Sequence, residues 1–194
     1  MSLNTQYKVH AHKAKDCSIP NRLNRQFDDH SPYAVIVSDL TYVRVGGKWN
    51  YLCVLADLFN REIVGYSAGP NKTAALVQQA LSKVKGKLSQ IKIFHTDQGS
   101  EFNNQLMANA LRTFGIESSM SLKGCPYDNA VPEATFKTVK IEFIYQYRFH
   151  DFAQLRRELA DYVNWFNRLR LHSSLDYKSP QEYKELYNHS LTDL

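Results

Sequence analysis

Three carboxylates in this chain stand where a divalent cation could use them. Asp97 and Glu133 are separated by 35 intervening residues, and Asp39 lies well upstream of both. Asp97 follows a short run, Ile91, Lys92, Ile93 and Phe94, whose β-branched and aromatic residues predict a buried strand ending at the aspartate. Asp39 closes a second such run, residues 34–38, and open sheets with parallel strands bind ligands beyond the carboxyl ends of those strands. Glu133 falls inside a helical pattern. Two strand-end aspartates and one helix glutamate are therefore expected to share one pocket. Acids so placed, with no basic partner, repel one another and are tolerable only if protons or cations neutralise them. Hard oxygen ligands select Mg²⁺ or Mn²⁺ over Zn²⁺. Two such ions about 4 Å apart clamp the attacking and leaving oxygens of an in-line phosphoryl displacement without any protein nucleophile. The sequence offers no convincing nucleophile triad or elbow to compete with that chemistry.

The helix that carries Glu133 adds cations. Lys137 and Lys140 lie four and seven residues on, within about 40° of Glu133 at 100° per residue. One face thus presents a metal ligand and two lysines suited to phosphate, while Phe136, Val139 and Phe143 turn towards a core. A plain Glu to Lys pair on a solvated helix is the alternative. Other acids read differently. Asp57, with Arg61 four residues on, suits a turn cap or an ion pair. Glu101 is close to Asp97 in sequence and is set aside as a decoy, and His95 is placed behind the acids rather than among them.

The elements that must position these residues follow from periodicity. Three strand-like runs, 33–45, 49–58 and 62–68, are broken by Gly46 Gly47 and by Asn60 Arg61, which predicts an antiparallel meander. A helix capped by Asn71 or Thr73 carries Leu76, Val77, Ala80, Leu81 and Val84 and is expected to stop at Gly86. The strand before Asp97 comes next, then a helix from about Asn104 with Gly115 behind it, and a short strand over 116–120. Gly124 and Pro126 mark 121–128 as a loop. Pro132 belongs in a first turn, which puts the cap of the Glu133 helix at Asp128 or Asn129. Asp151 caps a strongly amphipathic helix, and Ser179 Pro180 Gln181 Glu182 opens the last one with a capping box. This order predicts an α/β fold, a mixed five-stranded sheet with helices on both faces.

A chain of 194 residues with 43% hydrophobic residues suits one core, assigned to 33–188 between a basic linker or arm over 1–32 and a tail over 189–194. A net charge of +5 favours a polyanionic partner. Cys17, Cys53 and Cys125 are too few and scattered for a disulfide framework. His10, His12 and Cys17 lack a second ligand pair for zinc. With no long apolar stretch, the expectation is a soluble cytoplasmic protein without membrane segments. Its opening Met1 Ser2 Leu3 is compatible with a fragment of something longer.

The segments SDLTYV, HTDQGSEF, YDNAVPEATFKTVKIEF and FNRLRLHSSLDYKSP together resemble the catalytic core of bacterial insertion-sequence transposases of the insertion-sequence-three type, over roughly residues 33–185. These are relatives of retroviral integrases with an RNase H-like fold. The resemblance implies Asp39, Asp97 and Glu133 as the metal-binding catalytic triad, working with Mg²⁺ or Mn²⁺ and two ions during catalysis. It implies Lys140 as the basic residue two turns beyond the glutamate, and a mobile loop over 123–129 that brings Lys123, Tyr127 and Asn129 to DNA. Lys137 and Arg170 complete the expected DNA contacts, and Asn167, Arg170 and His172 form a motif of underived role. Element-end DNA and target DNA are the implied substrates, nicked and then joined through a 3′-hydroxyl in a bacterial cell, close to the nucleoid. An upstream helix-turn-helix region or a partner protein, and a homo-oligomer in the active complex, are implied as well. Pro132 and Cys125 depart from the usual pattern without removing a ligand. A hydrolytic RNase H-like nuclease and a domesticated, non-catalytic DNA-binding module are the rival readings.

Overall fold

The computed structural model describes residues 19–84 and 88–192. Expectations for His10, His12, Cys17, Gly86, the last two residues and most of the basic arm fall outside them.

The meander forms as the turn chemistry requires. Strands β1 (Val35–Val45), β2 (Lys48–Asp57) and β3 (Ile63–Gly69) pair antiparallel in succession. Between β1 and β2, Gly46 and Gly47 both take positive φ, 54° and 81°, which a two-residue hairpin turn matched to strand twist demands. Strands β4 (Ile93–Thr96) and β5 (Glu117–Met120) extend the sheet in parallel from the other edge of β1, giving the order β3-β2-β1-β4-β5. The expected mixed five-stranded sheet is present.

Helices cover both faces because strand residues alternate between them. Cys53 and Leu55 of β2 pack with α1 (Ala74–Leu81) and α2 (Gln105–Thr113), whereas Leu52 and Val54 pack with α3 (Ala130–Glu142) and α4 (Phe152–Arg168). In β1 the odd-numbered Val43 and Val45 join the α3 side, so Asp39 and Thr41 share that direction. The close approach of α1 to β3 requires Gly65, where a Cβ would sit 2.5 Å from the Ala80 carbonyl oxygen.

Caps fall largely where the sequence places them. Asn104 accepts from the Met107 amide at 3.0 Å and Asp151 from the Gln154 amide at 2.8 Å. Ser179 and Glu182 exchange backbone bonds as a capping box, at 2.8 and 3.3 Å, ahead of α5 (Pro180–Thr192). Helix α1 starts after Thr73, although the Thr73 side chain makes no cap bond, and it ends at Leu81. Residues 19–32 form no helix or strand, yet Leu23 is buried beneath Val35, Val37 and Ala56.

Two local expectations need correcting. Asp39 does not end a strand, since β1 runs six residues past it to Val45. What ends there is the β4 partnership, which covers only Val35 to Val37, so Asp39 still lies just beyond the carboxyl end of the parallel pair. Arg61 does not pair with Asp57. Its guanidinium meets Asp28 at 2.7 Å, and the Asp57 carboxylate accepts the Tyr33 and Phe59 amides, at 2.8 and 3.1 Å. The turn-cap reading of Asp57 holds and the ion pair is Asp28's.

Candidate active site

Asp97 follows β4 directly, and its Oδ1 accepts the Gly99 amide at 2.9 Å, a local turn that the Asp-x-Gly order favours. Asp39 Oδ1 accepts the Leu40 amide at 2.7 Å. Glu133 occupies the fourth position of α3, is exposed, and has no ion pair or hydrogen bond among the described residues. In particular no ion pair joins it to Lys137.

All three carboxylates line one open hollow of about 540 Å³, together with Gln98, Lys123 and Asn129. A second hollow of about 360 Å³ again contains Asp39 and Glu133, now with Lys137, Lys140 and Tyr145. The two acids common to both sit where the hollows meet. Lys123 and Asn129 therefore flank the acids on one side, and Lys137 and Lys140 on the other. Tyr127 is exposed on the short 3-10 turn Pro126–Asn129 that leads into α3, and it lines neither hollow. Arg170 is elsewhere, holding Glu142 through both Nε and Nη2 at 2.8 to 3.0 Å.

Burial pushes the Asp39 carboxyl up to about 6, with Asp97 and Glu101 adding repulsion and Lys72 offsetting part of it. Glu101, set aside from the sequence, is thus part of the local electrostatics. Its carboxylate is buried, with Lys72 Nζ 2.9 Å from Oε1 and no partner on Oε2. Gly99 makes room for it, because a Cβ there would collide with the Glu101 carboxylate. The signal was the Asp97-x-Gly99-x-Glu101 spacing; the remote Lys72 could not be read locally.

Buried polar atoms without partners gather in the same region: Asn129 Oδ1 in the first hollow, and Thr41 Oγ1 two residues along the strand from Asp39. An all-oxygen donor set with a carboxyl raised by burial and like charge fits a hard divalent cation. Among the described residues, however, no three acidic, histidine or cysteine side chains are gathered tightly enough to hold one ion as they stand.

Behind the acids the polar groups are fully used. Ser119 Oγ accepts the Arg22 and Leu23 amides, at 2.9 and 3.3 Å, so its own proton goes to His95 Nδ1 at 2.9 Å. His95 Nε2–H then donates to the Asp128 carbonyl at 2.9 Å. This fixes a neutral tautomer, consistent with burial holding the imidazole below its usual value. The N-cap position of α3 is Asn129, one of the two expected residues, although its side chain makes no cap bond. The Asp128 carboxylate accepts Arg25 Nε at 2.6 Å and the Leu122 amide at 3.2 Å. The result ties residues 22–25, the strand before Asp97 and the start of the Glu133 helix together.

The motif of underived role divides into parts. Asn167 clamps the first residue of β3, accepting from the Ile63 amide at 2.8 Å and donating to its carbonyl at 3.0 Å. His172 packs edge-on against Phe166, and burial pushes it down to about 4. Among the described residues no helix is long and apolar enough to cross a membrane.

Residues 29–126 match the family described as "Integrase core domain", and residues 133–189 match a second family of the same description. The transposase for insertion sequence element IS904 of Lactococcus lactis subsp. lactis (strain IL1403) is 38% identical over 186 residues, covering 94% of this chain and 73% of the relative. The putative transposase InsK for insertion sequence element IS150 of Escherichia coli (strain K12) is 34% identical over 167 residues, covering 85% of this chain and 59% of the relative. Among solved structures, the HTLV-2 integrase catalytic core domain in complex with magnesium is similar at a TM-score of 0.62 and 16% identity, over 78% of this chain and 96% of that one. The catalytic domain of Mos1 mariner transposase gives 0.55 and 18%, over 68% and 70%. At such identities these two likenesses speak to the fold, which is RNase H-like.

Proposed function

This chain belongs to the integrase core domain family, and from that premise we propose that it is the catalytic core of an insertion-sequence transposase that nicks DNA at an element's ends and joins the freed 3′-hydroxyl to a second strand. The observation that carries this reading is the convergence of Asp39, Asp97 and Glu133 from β1, β4 and α3 on one hollow with lysines on either side. These three carboxylates would hold the divalent cations, Mg²⁺ or Mn²⁺ and two during the reaction. Bound there, the metal would lower the pKa of water or of a sugar hydroxyl and offset charge at phosphorus.

The rest is the work of the chain's own groups. Burial, with repulsion from Asp97 and Glu101, pushes Asp39 up to about 6, and a divalent cation bound there would offset that repulsion and favour the carboxylate. Lys137 and Lys140 hold phosphates on one side of the acids. Lys123 and the Asn129 amide meet the strand on the other, with Tyr127 exposed on the turn before α3. Arg170 is left out of the DNA contacts, because Glu142 already occupies its guanidinium. The core spans 33–188, with the basic arm before it.

The chain spans 73% and 59% of the lengths of the two curated relatives. Choice of element ends is therefore assigned to a helix-turn-helix region or a partner protein outside this sequence. The working complex is a homo-oligomer on two DNA ends, in the cytoplasm beside the nucleoid.

The test is nicking of supercoiled plasmid, and joining of an oligonucleotide 3′-end to it, in Mn²⁺ against EDTA. Metal-dependent nicks and joints that vanish in Asp97→Asn are expected. Nicks without joints would reassign the chain to the hydrolytic nucleases, and equal activity in Asp97→Asn would overturn the site.

A further inference from the structure

The end of the β1–β2 hairpin exposes two large aromatics that no core claims. Tyr42 and Trp49 are 60% and 59% exposed, and their rings meet edge to face with centroids 5.3 Å apart. Cations stand over both: the Arg44 guanidinium 5.8 Å from the Trp49 ring, and Lys140 Nζ 5.9 Å from the Tyr42 ring. Single exposed apolar residues are ordinary, but an adjoining pair with its own cationic rim is a surface. It is also a rigid one. The Gly46 amide donates to the Phe149 carbonyl at 2.9 Å, and Arg44 Nε donates to the Gly47 carbonyl at 3.2 Å. Lys140 belongs both to this surface and to the hollow of Asp39, Glu133 and Tyr145, so the aromatic pair continues directly from the acids.

We propose that Tyr42 and Trp49, with Arg44 and Lys140 beside them, form a stacking platform for unpaired nucleotides of the DNA strand on one side of the scissile phosphate. The platform's orientation rests on the reading of the acid site given above. Charge selects the occupant: two cations beside two π faces match a base with its phosphate and disfavour a basic or purely apolar partner. Bases inside a duplex have no free faces, so the platform takes a strand that has frayed or been nicked. Stacking ignores sequence, since every base has a π face.

Binding in EDTA, where no cutting occurs, separates this from the reading of the acids. The full chain is titrated with a paired duplex and with the same duplex bearing a short single-stranded tail. The parent binds the tailed duplex more tightly. Tyr42→Ala or Trp49→Ala lowers affinity for the tailed duplex about five- to a hundredfold and leaves the paired duplex within about twofold. Trp49→Phe keeps the preference for the tail. Equal losses on both duplexes, or none on either, overturn the platform. So does a Trp49→Ala variant whose sedimentation shows a smaller oligomer at unchanged DNA affinity, which would make the patch a contact between copies. If triad variants go on cutting while the tail preference persists, the acid site is wrong and the platform stands.

Discussion

Asp39, half-buried, and Asp57, fully buried, are aspartates on neighbouring strands, and burial pushes each up to about 6. Their surroundings differ. The Asp57 carboxylate is consumed by the chain, accepting the amides of Tyr33 and Phe59. Among the described residues Asp39 accepts only the adjacent Leu40 amide, and it faces the like charges of Asp97 and Glu101 and opens onto a hollow. A raised pKa by itself therefore does not separate a structural acid from a functional one. Remaining coordination capacity does: each Asp57 oxygen already accepts a backbone amide, whereas among the described residues no donor meets Asp39 Oδ2.

The largest effect that would break this contrast is on turnover. Asp39→Asn, Glu133→Gln or Asp97→Asn should each lower strand joining at least about a thousandfold, because groups that act as one unit fail together. Asp57→Asn should stay within about tenfold of the parent once the folded fraction is matched. A dead Asp57→Asn that is fully folded would erase the distinction.

Stability should move the other way. Asp57→Ala strands two backbone donors in the interior and should cost about 1–3 kcal/mol, a melting decrease of roughly 2–4 °C per kcal/mol for a domain this long. Asp39→Asn relieves repulsion at nearly constant shape and should melt at or above the parent in EDTA. Thermal melts of the two variants side by side decide it, and a reversed order would assign the structural role to Asp39.

The smallest effect is a pH slope. Burial pushes the folded Asp57 carboxyl up to about 6, against about 4 for an ordinary aspartate, so between those values the folded chain holds more protons than the unfolded one. Its contribution to stability is thus fullest below about pH 4, falls as pH rises, and is exhausted above about 6. Melts in EDTA across that window should show the parent losing stability relative to Asp57→Asn, by no more than about 1.4 kcal/mol per pH unit. A constant offset between the two curves would mean that Asp57 stays ionised throughout.

By itself the sequence determined the elements and nominated the three acids. Gly46 Gly47 set the hairpin, Asn104, Asp151 and the Ser179 to Glu182 box set helix starts, and Pro132 set Glu133 one turn into α3. Those are interactions among neighbours, where spacing alone fixes geometry. Tertiary structure decided who answers whom. Arg25 reaches Asp128 across 103 positions, and Ser119 takes the amides of Arg22 and Leu23 from almost as far. Lys72 finds Glu101, and Arg170 finds Glu142. Such pairings leave no period in the sequence, because the sheet order β3-β2-β1-β4-β5 brings them together only after the chain has crossed over itself. The partner that satisfies a charge, or leaves it free for a metal, is chosen by that crossing.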